Sequence, residues 1–340
     1  MAREAHIYRM TDTDGHFRRK PSAFRNRISR SPDAEFPAEK GRYYLYLSLA
    51  CPWAQRANIV RSLKGLEDII PLVLLDHDMG PEGWYFSGRD GTAPKDPLHG
   101  FKRLRDLYFH ADAEYKGRFT VPMLWDSKKE TVVNNESAEI VRMLYTEFDE
   151  FLPLSLRESV HPLGGHYPPE SSPLRPEIDI WNEWMQDQIN NGVYKTGLAG
   201  TQAAYNDNVT KLFMGLDRIE SHLQQPGHQP YLFGEGITDP DIRLFTTIVR
   251  FDVAYYMVFR CSIRTIRHGY PNIDRWMRRL YWDNSEKTRG AFRDTTALHI
   301  YKPGYLATLL RNQGFKGEMI VPAGPVPDIL PLDEDDDLFV

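Results

Sequence analysis

The sequence predicts an α/β domain followed by an all-α domain, and three observations carry that reading. The stretch YYLYLSLACPWAQRANIVRSLKG, Tyr43 to Gly65, passes from an apolar, aromatic strand pattern through a break at Ser48 to Pro52 into a helical period at Ala57, Val60 and Leu63. A second apolar run, Ile69 to Leu75, follows and makes a β-α-β unit, hence a parallel pair. From Pro176 onward the chain reads as helices.

At 340 residues the chain is too long for one small domain, and 41% hydrophobic with 12% aromatic residues is enough for two packed cores. A net charge of −5 implies no polyanionic partner, so nucleic acid is not expected. No run of about 18 apolar residues occurs, and the start MAREAHIYRM lacks the apolar core of a signal peptide, so neither a membrane nor export is expected. Cys51 and Cys261 are the only cysteines, which argues against a disulfide framework and for the cytoplasm. The sequons at Asn135 and Asn208 then read as coincidental.

The break before the first helix puts Cys51 where unpaired backbone N–H groups and the positive end of the helix dipole favour a thiolate. Pro52 suits the first helical turn because its missing N–H would be unpaired there. The thiol is therefore expected to be more acidic than a free cysteine, at about 8.5. A strand, a cysteine and a helix start open a thioredoxin-like fold. Here Ala54 stands where a dithiol motif would have its second cysteine, so a mixed disulfide on Cys51 needs a thiol from solution to resolve it. Glutathione is the obvious one; the competing reading is a buried, inert cysteine.

Residues 1–40 form a polar extension, basic from Arg18 to Arg30 and broken by Pro21, Pro32 and Pro37. Without aromatic stacking platforms it reads as an extended segment over the folded body rather than a nucleic-acid arm. The connection Asp76 to Phe119 is long and rich in Gly, Pro and aromatics, and Trp84 within it is either a site wall or a staple pinning the loop. Strand patterns at Thr120 to Asp126 and Thr131 to Asn134 lead into a helix through Ile140, Val141 and Leu144. Val121-Pro122 falls where thioredoxin-like folds place a cis proline whose preceding residue offers its backbone to a bound peptide. Glu136 and Ser137 at the helix start can simply cap it. With Cys51 and Val121-Pro122 in the same order, the better reading is that they grip an α-amino acid head group, its carboxylate on the dipole and its ammonium on Glu136.

Tyr145 to Pro176 is aperiodic and Pro-rich. Gly164-Gly165 within it lacks the flanking strand and lysine of a phosphate loop. His161 and His166 lack further ligands at suitable spacing, and no metal is expected. Helices are expected over Pro176 to Asn190, Gln202 to Leu223, Asp239 to Phe259 and Asn272 to Tyr281. Thr238 with Asp241 reads as a capping box, and Ile237 with Ile242 as a hydrophobic staple. Asp252 calls for a partner, either Arg250 or a backbone amide. Cys261 reads as structural, and Asp333 to Asp337 as a solvated acidic end. The expected organisation is an extension at 1–40, a thioredoxin-like domain at 41–148, a linker at 149–175, a helical domain at 176–312 and a tail at 313–340.

These pieces together resemble the glutathione transferase superfamily, and within it the glutathionyl-hydroquinone reductases, the Xi class. The resemblance runs from about Ser48 to about Asp283 and rests on SLACPWAQR, DPLHGFKRLRDLYFHAD, GRFTVPMLWD, VNNESAEIVRML, the INNGVYK stretch and DIRLFTTIVRFD. It implies a thioredoxin-like domain, a glutathione-transferase-type helical domain and a homodimer. The implied activity is reduction of S-glutathionyl-hydroquinones to hydroquinones, with glutathione as co-substrate. By position it implies Cys51 as nucleophile, and Trp84, Arg118, Val121, Pro122, Glu136 and Ser137 as the glutathione site. Tyr194 and Tyr301 become walls of the aromatic pocket. The sequence departs from the family near its end, where Ile300 replaces a tyrosine, which puts the range of hydroquinones in question. Two other readings are an omega-like thioltransferase or dehydroascorbate reductase using the same Cys51, and a non-catalytic carrier of aromatic ligands.

Overall fold

The computed structural model describes residues 12–312, 314 and 317–333; residues 1–11 and the acidic tail from Glu334 onward lie outside them. The described residues divide into two compact units, one built on Lys20–Val160 and the other on residues 161–312, 314 and 317–333 together with residues 12–19.

The first unit runs β1 Tyr43–Leu47, α1 Pro52–Leu63, β2 Leu72–Leu74, α2 Leu104–Ala111, β3 Met123–Asp126, β4 Thr131–Asn134 and α3 Ser137–Thr146. Its sheet has the order β2-β1-β3-β4. β1 pairs parallel with β2, setting Leu45 opposite Leu72, and antiparallel with β3, setting Leu45 opposite Leu124. β2 is shorter than the apolar run from Ile69 suggests, because Pro71 has no N–H to give a ladder. The loop-like stretch after Asp76 hides α2, whose Leu104, Leu107 and Tyr108 bury one face at helical spacing. The ends of β1 and β3 are tied by a buried ion pair, Arg42 Nε to Asp126 Oδ1 at 2.9 Å.

The basic extension covers the sheet edge beyond β4. Asn26 N donates to Val133 O and Asn135 N to Phe24 O, at 3.0 and 3.1 Å, so the β4 edge is not left open.

The second unit holds α4 Leu174–Met185, α5 Gly192–Gly197, α6 Gln202–Leu223, α7 Asp239–Ile248, α8 Tyr256–Val258, α9 Ile266–Gly269, α10 Pro271–Trp282, α11 Ala291–Asp294 and α12 Leu298–Asn312. The continuous helices expected over Pro176 to Asn190 and Asp239 to Phe259 are interrupted by π-helical turns at Gln186–Asn190 and Phe251–Tyr255. Asn190, at the end of the first turn, donates to Arg243 O at 3.2 Å and Thr247 Oγ1 at 2.8 Å on α7. Asp241 accepts from Thr238 N, Leu232 N and Trp276 Nε1, each at 2.9 Å, so the capping residue also ties α7 to α10. Asp252 is satisfied by the amides of Ile266 and Arg267, at 2.7 and 2.9 Å, while Arg250 donates to Thr246 O instead. Cys261 is fully buried. Among the described residues no helix is long and apolar enough to cross a membrane.

Candidate active site

Cys51 stands immediately before α1 with an extended backbone, φ −85° and ψ 118°, and Pro52 takes the first helical position. The helix therefore starts at the residue after the sulfur, as proline's fixed φ favours. Cys51 is half-buried. Its thiol donates to the carbonyl oxygen of Val121, with Sγ 3.5 Å away, and the Val121–Pro122 bond is cis.

Glu136 caps α3, its Oε1 accepting from Ala138 N at 3.3 Å and its Oε2 from Ser22 Oγ at 3.0 Å. Its own amide donates to Asn134 Oδ1 at 2.7 Å, which fixes the carboxylate at the helix start. Ser137 follows, 2% exposed, and its Oγ has no hydrogen-bond partner among the described residues. A buried hydroxyl in the first turn of a helix, beside the N–H groups that the helix leaves unpaired, is chemically suited to hold an anionic group.

Asn135 joins these two parts. It donates to Tyr108 Oη at 3.1 Å and to Thr120 Oγ1 at 3.2 Å, and accepts from Phe24 N at 3.1 Å. The sequence shows Asn135 as a sequon and within the VNNESAEIVRML stretch, with no role of its own; at 3% exposure it ties Thr120, directly and through Tyr108, to the start of α3. Trp84 and Arg118 lie on loops before and after α2, Trp84 half-buried and Arg118 exposed. Trp84 O accepts from Leu104 N at 3.0 Å, and Arg118 O from Tyr115 Oη at 2.9 Å. Both loops are thus held by their backbones.

The helical unit contains a cluster of tyrosine hydroxyls. Tyr194 on α5, Tyr255 at the end of the second π-helical turn and Tyr305 on α12 face one another, with O–O distances of 3.0 Å from Tyr305 to each of the others and 3.5 Å between Tyr194 and Tyr255. Phe259 packs against all three rings at centroid distances of 5.1 to 5.2 Å. Gly197 makes room for Phe259: a Cβ there would lie 2.3 Å from Phe259 Cγ. Burial pushes the Tyr255 phenol far up and Tyr305 adds to this, outweighing the opposing pull of Arg250, so Tyr255 stays a proton-bearing donor.

Tyr301 is bonded differently from these three. It is fully buried, its hydroxyl accepts from Ala297 N at 3.1 Å, and the Arg250 guanidinium lies 3.9 Å over its ring. The α12 tyrosine that reaches Tyr194 is Tyr305, four residues on, where the sequence resemblance pointed to Tyr301. Ile300 is buried as well, at 5% exposure. Tyr255 and Tyr305 were missed in sequence; the signal available was the four-residue spacing of Tyr301 and Tyr305, which one helix face brings into line.

A cysteine at the first helix of a thioredoxin-like unit, followed by an all-helical unit, defines a glutathione transferase architecture. Residues 50–147 match the glutathione S-transferase N-terminal domain family and residues 202–279 the C-terminal domain family. The chain is 46% identical to "Glutathione S-transferase omega-like 2" of Schizosaccharomyces pombe over 95% of its length and 98% of the relative's. It is 44% identical to "Glutathionyl-hydroquinone reductase YqjG" of Escherichia coli over 81% of each. The crystal structure of the Xi glutathione transferase ECM4 from Saccharomyces cerevisiae in complex with glutathione superimposes with a TM-score of 0.82 at 36% identity, covering 94% of this chain and 100% of that one. The chain belongs to the Xi class of glutathione transferases.

Proposed function

We propose that this protein reduces S-glutathionyl-hydroquinones to hydroquinones through a Cys51–glutathione mixed disulfide. The observation that carries the reading is the half-buried Cys51 thiol at the start of α1, hydrogen-bonded to the Val121 carbonyl. A transferase that only activates glutathione needs a hydroxyl at that place to hold the thiolate, whereas a cysteine there can itself form a bond to sulfur.

In the first half-reaction the Cys51 thiolate attacks the sulfur of the thioether. The S–S bond forms, the carbon–sulfur bond breaks with its electron pair going to the ring carbon, and that carbon takes up a proton. The ring can leave only when it carries the charge as the enolate of a ketone tautomer, which hydroxyl donors stabilise. To Tyr194, Tyr255 and Tyr305 we assign that stabilisation. In the second half-reaction a glutathione thiolate attacks the mixed disulfide, giving glutathione disulfide and restoring the Cys51 thiolate. Val121 and Pro122 are assigned to the glutathione peptide backbone, Glu136 and Ser137 to its γ-glutamyl head group, and Trp84 and Arg118 to the remainder. A homodimer located in the cytoplasm completes the reading; light scattering on the purified protein tests the dimer.

The test is mass spectrometry after one equivalent of a glutathionyl-hydroquinone. One added glutathione on Cys51 and release of the hydroquinone are expected, with neither event in Cys51→Ser; turnover retained by that variant overturns the nucleophile. Iodoacetamide should label Cys51 and spare Cys261, whose thiol burial pushes far up. The omega-like name of the Schizosaccharomyces pombe relative favours a second reading, a thioltransferase acting on mixed disulfides. Turnover of a small glutathione mixed disulfide faster than that of the glutathionyl-hydroquinone selects it.

A further inference from the structure

The loop before α2, the last turn of α2 and the β3–β4 turn bring His99, His110 and Glu130 together, with one ligand atom from each lying within 4.8 Å of the others. Glu130 faces both rings, its Oε2 3.2 Å from His110 Nε2 and its Oε1 3.7 Å from His99 Nε2. Tetrahedral zinc with bonds of about 2.0–2.1 Å sets its ligand atoms roughly 3.3–3.5 Å apart. We propose that these three residues bind a divalent ion of the zinc type, with a fourth position open to water.

The surroundings of His99 are those of a metal ligand. Asp96, 1% exposed, accepts from Tyr46 Oη at 2.5 Å and from the His99 amide at 2.5 Å, and its Oδ2 lies 3.0 Å from His99 Nδ1. A carboxylate can only accept there, so Nδ1 carries the proton and donates. That tautomer turns the Nε2 lone pair toward Glu130 Oε1, 3.7 Å away, the arrangement a shared cation would use. A carboxylate behind the distal nitrogen is how proteins fix the tautomer and raise the basicity of a metal-binding histidine. Phe101 stacks on the His99 ring at 5.3 Å and Trp125 meets its edge at 5.5 Å, which holds the ring in that orientation. His99 is nearly covered while the side chains of His110 and Glu130 are 34% and 58% exposed, so an ion has a path of entry. The opposite end of α2 is bonded to Trp84, since Leu104 N donates to Trp84 O at 3.0 Å. A metal here would brace the helix whose first residue is bonded to Trp84 O.

Two histidines and one carboxylate on three segments suit zinc, or the nitrogen-preferring cobalt and nickel ions, over calcium or magnesium. The experiment uses chelator-treated full-length protein carrying Cys51→Ser, so that the reactive thiol cannot bind the ion. Titration with zinc chloride should show one equivalent bound in the micromolar range or tighter and a Tm raised by about 5 °C. Cobalt(II) in its place should give visible d–d bands without thiolate charge transfer. In the same background His110→Ala and Glu130→Gln, both at exposed positions and checked for folding by circular dichroism, should each weaken zinc at least about tenfold. Absence of zinc-dependent heat and of a Tm shift overturns the proposal. Unchanged affinity in either variant overturns it too.

Discussion

The Ser22 hydroxyl donates to Glu136 Oε2 at 3.0 Å, across 114 positions of the chain. The N-terminal extension therefore supplies a partner to the carboxylate assigned to the glutathione ammonium. A hydrogen bond to a charged group contributes about 1.5 kcal/mol, close to tenfold in affinity. Ser22→Ala is expected to raise the KM for glutathione roughly threefold to tenfold while leaving kcat within a factor of two. An unchanged KM removes Ser22 from the site.

The hydroxyl cluster and Tyr301 are separable by substitution. Removing one donor to a developing oxyanion typically costs a hundredfold or more, and less where two neighbours remain. Tyr255→Phe is expected to lower kcat for a glutathionyl-hydroquinone by about tenfold to a hundredfold and to leave turnover of a small mixed disulfide unchanged. Tyr301→Phe loses one buried bond to the Ala297 amide, about 1 kcal/mol. It should lower Tm by roughly 2–4 °C without touching kcat. A kcat loss in Tyr301→Phe as large as in Tyr255→Phe contradicts this assignment.

Two glycines of the NNGVYKTG stretch should respond differently to a methyl group. At Gly197 it meets Phe259 Cγ at 2.3 Å, and at Gly192 it meets Leu212 Cδ1 at 3.4 Å. Gly197→Ala must displace Phe259 and with it the packing of the tyrosines, at a cost of about 1–3 kcal/mol. Gly192→Ala needs only a small adjustment. Thermal melts and reductase assays of both variants check the contrast, which equal losses would refute.

Acid should act in opposite senses on the buried carboxyls of the two units. In the first, burial by itself would raise the carboxyls of Asp76, Asp126 and Glu139. Bonds from Arg89, from Arg42 with the Lys128 and Lys129 amides, and from Arg25 with Asn134, respectively, outweigh it and hold all three below their usual values. In the second, burial wins at Asp241 and Asp252 and raises both despite their amide donors. A depressed carboxyl gives stability that is present above its unfolded pKa of about 4 and is lost as pH falls through the lower folded value. A raised one does the reverse, so stability is gained as pH falls from the folded value toward about 4. Pepsin at about pH 3 is therefore expected to cut first within Lys20–Val160; first cuts in the helical unit would reverse the assignment.

Much of the first unit was legible because its signals are local. A strand, a cysteine, a proline at the first helical position and a Val-Pro before a strand are short-range preferences for φ, for helix starts and for burial, and they placed β1, α1 and α3 in order. α2 was not legible, because its eight residues lie in a stretch whose glycines and prolines read as loop. The two π-helical turns were hidden for a different reason. The apolar period runs on through Asp239 to Phe259, and the interruption lies within the same run of helix-compatible residues.

The sequence by itself determined the two-part architecture, the class of protein and the place of Cys51 at a helix start, since that place depends on residues next to it in the chain. Only the tertiary structure decided that Tyr305 rather than Tyr301 meets Tyr194 and that Ser22 reaches Glu136. It alone brought His99, His110 and Glu130 to one point. Those groups are joined by hydrogen bonds and charge at distances of 3 to 5 Å while lying far apart or on neighbouring turns in sequence. No local preference encodes such pairings; packing of the folded units selects them.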